Sequence, residues 1–381
     1  MKRRVVVEVD LDALVGNYRK IVRHVRPAKV LCVLKANAYG LGVAVYAQAL
    51  VEAGCRDFGV AEPFEAMELK KLFKKLGVEA SVQILSAVLP EEIPPMVRAG
   101  VVLPVVDIAS AKLISDAAVS ARRKVKIHFK IDTGMGRLGI LAKDAVSTMA
   151  EVFGMPNNEC EGIFYHCPVA YDVSDPFTSD QIAVFKDIIC KAEAKGLRFK
   201  KVHIAASDAV NNFPESAKAP FNMVRTGINL HGSFDPNGLK SLNVKPVLSL
   251  KTRVVQVRTL PAGTTVGYGR TWKSSSSSKI ATISAGYADG LPLALSNRGK
   301  VIIRGRFCPV VGRVSMDYAT VDVTGVENVK VGDEVVCFGS SGALCITPDD
   351  WAALKGTHAY DIICSLGTRV AREIKKGKRI G

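Results

Sequence analysis

Lys35 ends the apolar run Val30 to Leu34 (VLCVL) and opens Lys35 to Gly42, KANAYGLG. An apolar run of that length predicts a strand buried on both faces, so a lysine at its end projects from a dry sheet. Desolvation lowers an ammonium pKa, and an amine so lowered attacks carbonyls and holds an aldehyde as a Schiff base. A lysine at a strand end also snorkels without any chemistry, so the rest of the chain has to decide. Lys130 to Gly139, KIDTGMGRLG, closes another apolar run. Its glycines permit a tight turn, and Arg137 offers a planar fork of donors suited to a carboxylate or phenolate. His166, then His203 with Ser207, and Arg225 in VRTG lie at the ends of three further runs or inside them.

The elements that must position these groups form a regular series. Apolar runs occur at Val30–Leu34, Phe58–Ala61, Val82–Leu85, Val101–Val106, Val125–Ile131, Gly162–Tyr165, Val202–Ala205 and Val224–Leu230. Stretches of helical periodicity separate them, among them Ala44–Ala53, Pro63–Leu76, Ile108–Val119, Ala142–Phe153 and Gln181–Ala194. Strands alternating with helices in this number predict an α/β fold, a (β/α)8 TIM barrel over residues 10–238, with reactive groups just past the C-terminal strand ends. From residue 239 to 381 short β-rich runs punctuated by Gly and Pro predict a mainly β domain. The strand within residues 1–9 is expected to pack on that domain. Helices are expected at Pro348–Lys355 and Tyr360–Ile374, and Ser274–Ser278 reads as a flexible surface loop.

Composition narrows the classes. Of 381 residues, 48% are hydrophobic and 23% charged, which supplies two cores and argues against disorder. Nine scattered cysteines without a CxxC pair predict reduced thiols in the cytoplasm, with no metal site. No stretch offers the roughly 18 uninterrupted apolar residues of a membrane span. The net charge of +16, with a basic tail at 375–379, would attract anions. Specific nucleic-acid binding is not expected, because aromatics are only 7% and no recognised nucleic-acid motif is present.

Six motifs in order, KANAYG, KIDTGMGRLG, VRTGI at Val224–Ile228, VGYGRTW at Val266–Trp272, GYADG at Gly286–Gly290 and VGRVSMD at Val311–Asp317, resemble the alanine racemase family across nearly the whole chain. The resemblance implies a pyridoxal 5'-phosphate (PLP) enzyme of fold type III that interconverts L- and D-alanine for peptidoglycan, acting as a homodimer with shared active sites. By that resemblance Lys35 would hold the cofactor as a Schiff base, and Tyr39, Ser207, Gly227, Ile228 and Tyr360 would bind its phosphate end. Arg225 would face the pyridine nitrogen with His166 beside the ring. Arg137 and the Met316 backbone would hold the substrate carboxylate, and Asp317 and Tyr287 would line the site. Lys35 and Tyr268 would act on opposite faces of Cα, with Tyr268 arriving from the partner subunit. Positive charge from His166 backed by Arg225 is the expected means of making that phenol a better base. Lys130 matches a lysine that is carbamylated in some members.

The chain departs from the family's usual residues at Leu41, Ala206, His231, Leu293 and Ser315, none of them a proposed acid, base or Schiff-base group. These departures bear on substrate breadth, so a broader-specificity amino-acid racemase is an alternative. A related PLP-dependent decarboxylase would place a carboxylate where Arg225 stands and would supply a catalytic cysteine, and the chain has neither at the matching places. A non-catalytic PLP-binding protein would resemble the barrel alone.

Overall fold

The structure, a computed structural model, describes residues 3–235 and 237–375, so most of the basic tail lies outside the described residues. The chain divides into two compact units: 17–230 with 237–243, and 1–16 with 231–236 and 244–381.

The first unit is the barrel. A strand before it, β1 (Val6–Asp10), belongs to the second unit; the barrel strands are β2 (Lys29–Val33), β3 (Asp57–Val60), β4 (Ser81–Ile84), β5 (Leu103–Val105), β6 (Val125–Asp132), β8 (Asn158–Phe164), β9 (Lys201–His203) and β10 (Met223–Thr226), with the short β7 (Ile140–Leu141) beside β6. All pairings run parallel, in the orders β10-β2-β3-β4 and β5-β6-β8-β9. Two seams close the ring. Val102 joins the rows at one, donating to Val82 O at 2.8 Å and accepting from Ile84 N at 3.1 Å. At the other, Asn222 N donates to Val202 O and Arg225 N to Ala205 O, both at 3.0 Å. Leu31, Phe58, Val82, Leu103, Phe129 and Ile163 are buried on the strands, as near-continuous apolar runs require.

Helix Pro63–Leu76 has the predicted bounds, with proline in its first turn and Gly77 in the left-handed region (φ 65°) at its end. The last barrel strand is shorter than expected: β10 stops at Thr226, and residues Ile228–His231 turn into a 3₁₀ segment once Gly227 N donates to Ser207 Oγ at 3.0 Å.

The second unit is mostly β. Its remaining strands are β11 (Leu248–Leu260), β12 (Thr265–Val266), β13 (Trp272–Lys273), β14 (Ser278–Ile283), β15 (Lys300–Ile303), β16 (Arg306–Pro309), β17 (Ala319–Asp322), β18 (Glu334–Ser341), β19 (Leu344–Ile346) and β20 (Ala371–Lys375). The main path is β16-β15-β18-β11-β1-β20, with β1 antiparallel to β11 and parallel to β20. One expectation is corrected here. Residues 360–374 are not one helix: the helix is Ala359–Cys364, and the chain then crosses Gly367 to become β20 beside β1. Arg372 fixes that crossing by donating to the carbonyls of Leu366, Gly367 and Val370. The Ser274–Ser278 loop is exposed at 275–277, as expected, and pinned at both ends. Ser274 is buried and its Oγ donates to Pro261 O at 2.7 Å, while Ser278 begins β14. Among the described residues no helix is long and apolar enough to cross a membrane.

Candidate active site

The expected site residues sort between the two units. Lys35, Tyr39, Lys130, Arg137, His166, Ser207, Arg225, Gly227 and Ile228 belong to the barrel; Tyr268, Tyr287, Met316, Asp317 and Tyr360 belong to the β unit. Because the strands are parallel, the residues that follow β2, β6, β8, β9 and β10 share the C-terminal end of the barrel.

Lys35 lies one residue past Leu34, which caps the buried strand, but is itself exposed. The expected desolvation falls on another lysine. Lys130 is buried, donates from Nζ to Leu85 O at 2.7 Å, and is pushed down to about 8, first by burial and then by the charges of Arg137 and Arg225. Burial does so because the interior favours the neutral amine over the ammonium. After Lys35 the backbone does something no propensity suggests. Ala36, Asn37, Ala38 and Tyr39 have φ of 53°, 55°, 52° and 59°, a full left-handed turn built without glycine. Left-handed helical backbone costs about 1–2 kcal/mol per L-residue, so neighbours must impose the turn. Ala38 N donates to Leu34 O at 2.9 Å, Gly42 N to Asn37 O at 3.0 Å and Val43 N to the Asn37 side chain at 2.8 Å. Tyr39 is buried at its end.

The loop after β6 is shaped by Asp132, which sequence reading left out. Its buried carboxylate accepts from Gly134 N at 2.9 Å, Gly136 N at 3.2 Å and Arg137 N at 3.1 Å. Those bonds hold its pKa below the usual carboxylate value against the opposing effect of burial, so the loop is gathered around an anion. Gly139 is required at the loop's close, since a Cβ there would lie 2.8 Å from Lys130 O.

Arg225 is buried, and both of its Nη groups are engaged. Nη2 donates to Tyr165 O at 2.6 Å and Ile204 O at 3.1 Å, and Nη1 to His203 O at 3.1 Å and His203 Nδ1 at 3.0 Å. A guanidinium only donates, so His203 Nδ1 must be the bare nitrogen and Nε2 must carry the proton. That proton points to His128 Nδ1, 3.1 Å away, and His128 Nε2 in turn donates to Glu161 Oε2 at 3.2 Å. The chain therefore has one direction, from guanidinium through two imidazoles to a carboxylate. Burial lowers both histidine pKa values, so both rings are neutral. Lys126 at 2.9 Å and Lys201 at 3.3 Å keep Glu161 ionised. Burial pushes Arg225 down to about 10, which leaves it charged at neutral pH.

His166 corrects a second expectation. Burial, followed by the charges of Arg225, Arg137, Lys130 and Lys35, pushes it down to about 3. It is a neutral imidazole at neutral pH and brings no positive charge to a phenol. The four cations that depress it make this end of the barrel an anion-attracting cup. Ser207 starts the helix Ser207–Asn212, and its Oγ accepts from Gly227 N.

On the β unit, Tyr268 is 72% exposed, and Tyr287, Met316 and Tyr318 are also exposed. A cavity of about 400 Å³ beside Tyr268 is lined by Gly267, Arg313, Ser315 and Tyr318, so VGYGRTW and VGRVSMD meet. GYADG packs against the same segment: Tyr287 N donates to Ser315 O at 3.0 Å and Ala288 N to Met316 O at 3.1 Å. A Cβ on Gly286 would come within 2.3 Å of both carbonyls, which is why glycine stands there. Asp317 is paired with Arg369 at 2.7 Å, and Arg369 also forks onto buried Asp289 at 2.7 and 2.9 Å. Of the departures, Ser315 Oγ donates to Tyr318 O at 2.7 Å, Leu41 and His231 are buried, and Leu293 is exposed.

Models of the alanine racemase N-terminal and C-terminal domains match residues 9–235 and 247–374. The chain belongs to the alanine racemase family. Among its relatives, "Alanine racemase 2" of Caldanaerobacter subterraneus subsp. tengcongensis is 39% identical over 96% of this chain and 93% of that protein. An alanine racemase of Clostridium perfringens is 36% identical over 99% of this chain and 97% of its own. Among solved structures, the alanine racemase of D-cycloserine-producing Streptomyces lavendulae superposes with a TM-score of 0.91 at 30% identity, covering 99% of this chain and 98% of that one. The Bartonella henselae alanine racemase, solved with covalently bound pyridoxal phosphate, gives 0.87 at 30% identity, covering 98% and 100%.

Proposed function

We propose that the protein racemises alanine with PLP, supplying D-alanine for peptidoglycan from the cytoplasm. The observation that carries the reading, beside family membership, is the cup of Lys35, Lys130, Arg137 and Arg225 at the C-terminal end of the barrel, with an arginine rather than a carboxylate in the last barrel strand. The residues present fit the cofactor: Ser207 and Gly227 already meet at the ends of β9 and β10, the usual phosphate position in such barrels, and the cup is positive.

Ser207, Gly227, Ile228, Tyr39 and Tyr360 would hold the phosphate, Lys35 the aldehyde carbon, and Arg225 the pyridine nitrogen beside His166. Bound PLP supplies a sink for the electron pair left when Cα loses its proton. Arg225 is a cation that only donates hydrogen bonds, so beside the ring nitrogen it would not support protonation there, and that sink would be weaker than one facing a carboxylate. Arg137 and the Met316 backbone orient the carboxylate. Lys35 moves the proton on one face of Cα and the Tyr268 hydroxyl on the other, because one group alone returns it to the face it left.

The exposure of Tyr268 with Met316, Tyr287 and Tyr318 supports a homodimer in which Tyr268 serves the partner's barrel. Incubation with PLP and L-alanine followed by chiral chromatography tests the reading. A near-equal mixture of enantiomers is expected, and unchanged L-alanine with PLP bound refutes it. Other L-amino acids run in parallel measure the breadth that Leu41, Ala206, His231, Leu293 and Ser315 bear on.

A further inference from the structure

The left-handed turn after Lys35 is anchored from outside its own segment. Glu65 stands in the first turn of helix Pro63–Leu76, where a glutamate commonly reaches back to cap its own helix. One oxygen does this, Oε2 accepting from Ala61 N and Glu62 N, both at 2.9 Å. The other, Oε1, accepts from Ala36 N, at the end of the neighbouring strand. A capping carboxylate is ordinarily left in water, yet Glu65 is only 4% exposed. Three N–H groups converge on one buried carboxylate, and each such charge-assisted bond is stronger than a neutral one.

The Ala36 N–H lies in the peptide plane that Lys35 begins, so anchoring it restrains ψ of Lys35 and with it how the left-handed turn is set against the Lys35 side chain. We propose that Glu65 is a positioning residue for Lys35, holding the left-handed turn that aims its amine at the reacting centre. This rests on the reading of Lys35 given above, but the turn itself can be tested without it. Glu65→Gln has nearly the same shape and offers one accepting oxygen where three donors converge; its NH2 group must face a donor.

The measurement is amide hydrogen exchange at 36–39 in the apoprotein. Asp107→Ala is the control: Asp107 Oδ1 caps helix Ile108–Ser120 through Ser110 N at 2.7 Å and is remote in sequence from the turn. In Glu65→Gln, exchange at these amides should rise about 10- to 100-fold, the loss of one charge-assisted hydrogen bond. In Asp107→Ala it should stay within about twofold. In the loaded protein, Glu65→Gln should slow borohydride-fixable attachment of PLP to Lys35 about tenfold or more while equilibrium phosphate binding by inorganic phosphate stays near wild type. If Glu65→Gln does not fold, Glu65→Asp, which keeps the charge and shortens the reach, is read the same way. Exchange at 36–39 no faster than in the control overturns the proposal. Absence of a fixed adduct on wild-type Lys35 overturns the reading of that lysine, and the exchange result still decides what Glu65 does.

Discussion

Replacing His203 by phenylalanine removes the middle of the chain that runs from Arg225 to Glu161. The ring keeps its stacked place on Phe164, whose centroid is 5.1 Å away, so packing is largely conserved. Two polar consequences remain. Arg225 Nη1 loses one of its two acceptors, keeping His203 O, and a hydrogen bond to a charged group contributes about 1.5–3 kcal/mol. His128 Nδ1 loses its donor inside the barrel, and an orphaned buried acceptor costs about 1–3 kcal/mol. The expected loss is about 2.5–6 kcal/mol, a large share of the roughly 5–15 kcal/mol of an ordinary domain. His203→Gln is the informative partner: its amide oxygen accepts from Arg225 and its NH2 donates to His128, so the direction survives and about half of the loss should return. Urea unfolding at neutral pH and fixed protein concentration measures both. Nitrogen NMR of wild type should show His203 and His128 protonated on Nε2. Equal losses for the two variants, or an Nδ1–H tautomer at His203, would refute the directional chain.

Acid should destabilise the protein steeply. Burial holds His128, His166, His203 and His231 neutral when folded, with His166 and His231 pushed down to about 3. The unfolded chain binds more protons below about pH 6.5, so the stability from neutral histidines is complete above that value and falls by up to about 1.4 kcal/mol per pH unit for each as pH drops toward 3. Urea midpoints unchanged from neutral pH to about pH 5 would contradict this. Tyr268→Phe should bind PLP yet lose about 10²–10⁴-fold in racemisation, while solvent deuterium still enters one enantiomer through Lys35. Loss of exchange from both enantiomers alike would contradict the two-face assignment. Mixing inactive Lys35→Ala with inactive Tyr268→Phe should restore about a quarter of wild-type sites after random exchange, because half of the dimers are mixed and each then has one intact site. Proven subunit exchange without activity would place Tyr268 in its own chain's site.

The residues proposed to carry the chemistry could be placed from the sequence because their position depends on local pattern. Apolar runs alternating with helical periodicity specify parallel strands, and a polar group just after such a run is delivered to the barrel's C-terminal end whatever else surrounds it. Lys35, Arg137, His166, Ser207 and Arg225 were singled out that way, and Tyr268 by its motif.

What each group experiences there was decided only in three dimensions. Lys35 is exposed while Lys130 is buried, although both stand at or near strand ends, because burial depends on which side chains converge. The left-handed turn of Ala36–Tyr39 violates local preference and is held in part by Glu65, 29 positions from Ala36. His203 and His128 are 75 positions apart, and neither their contact nor its direction is written in the spacing of either. The last segment follows the same rule: its helical pattern lost to an open place beside β1, since a backbone that must be hydrogen-bonded takes the partner that the fold provides.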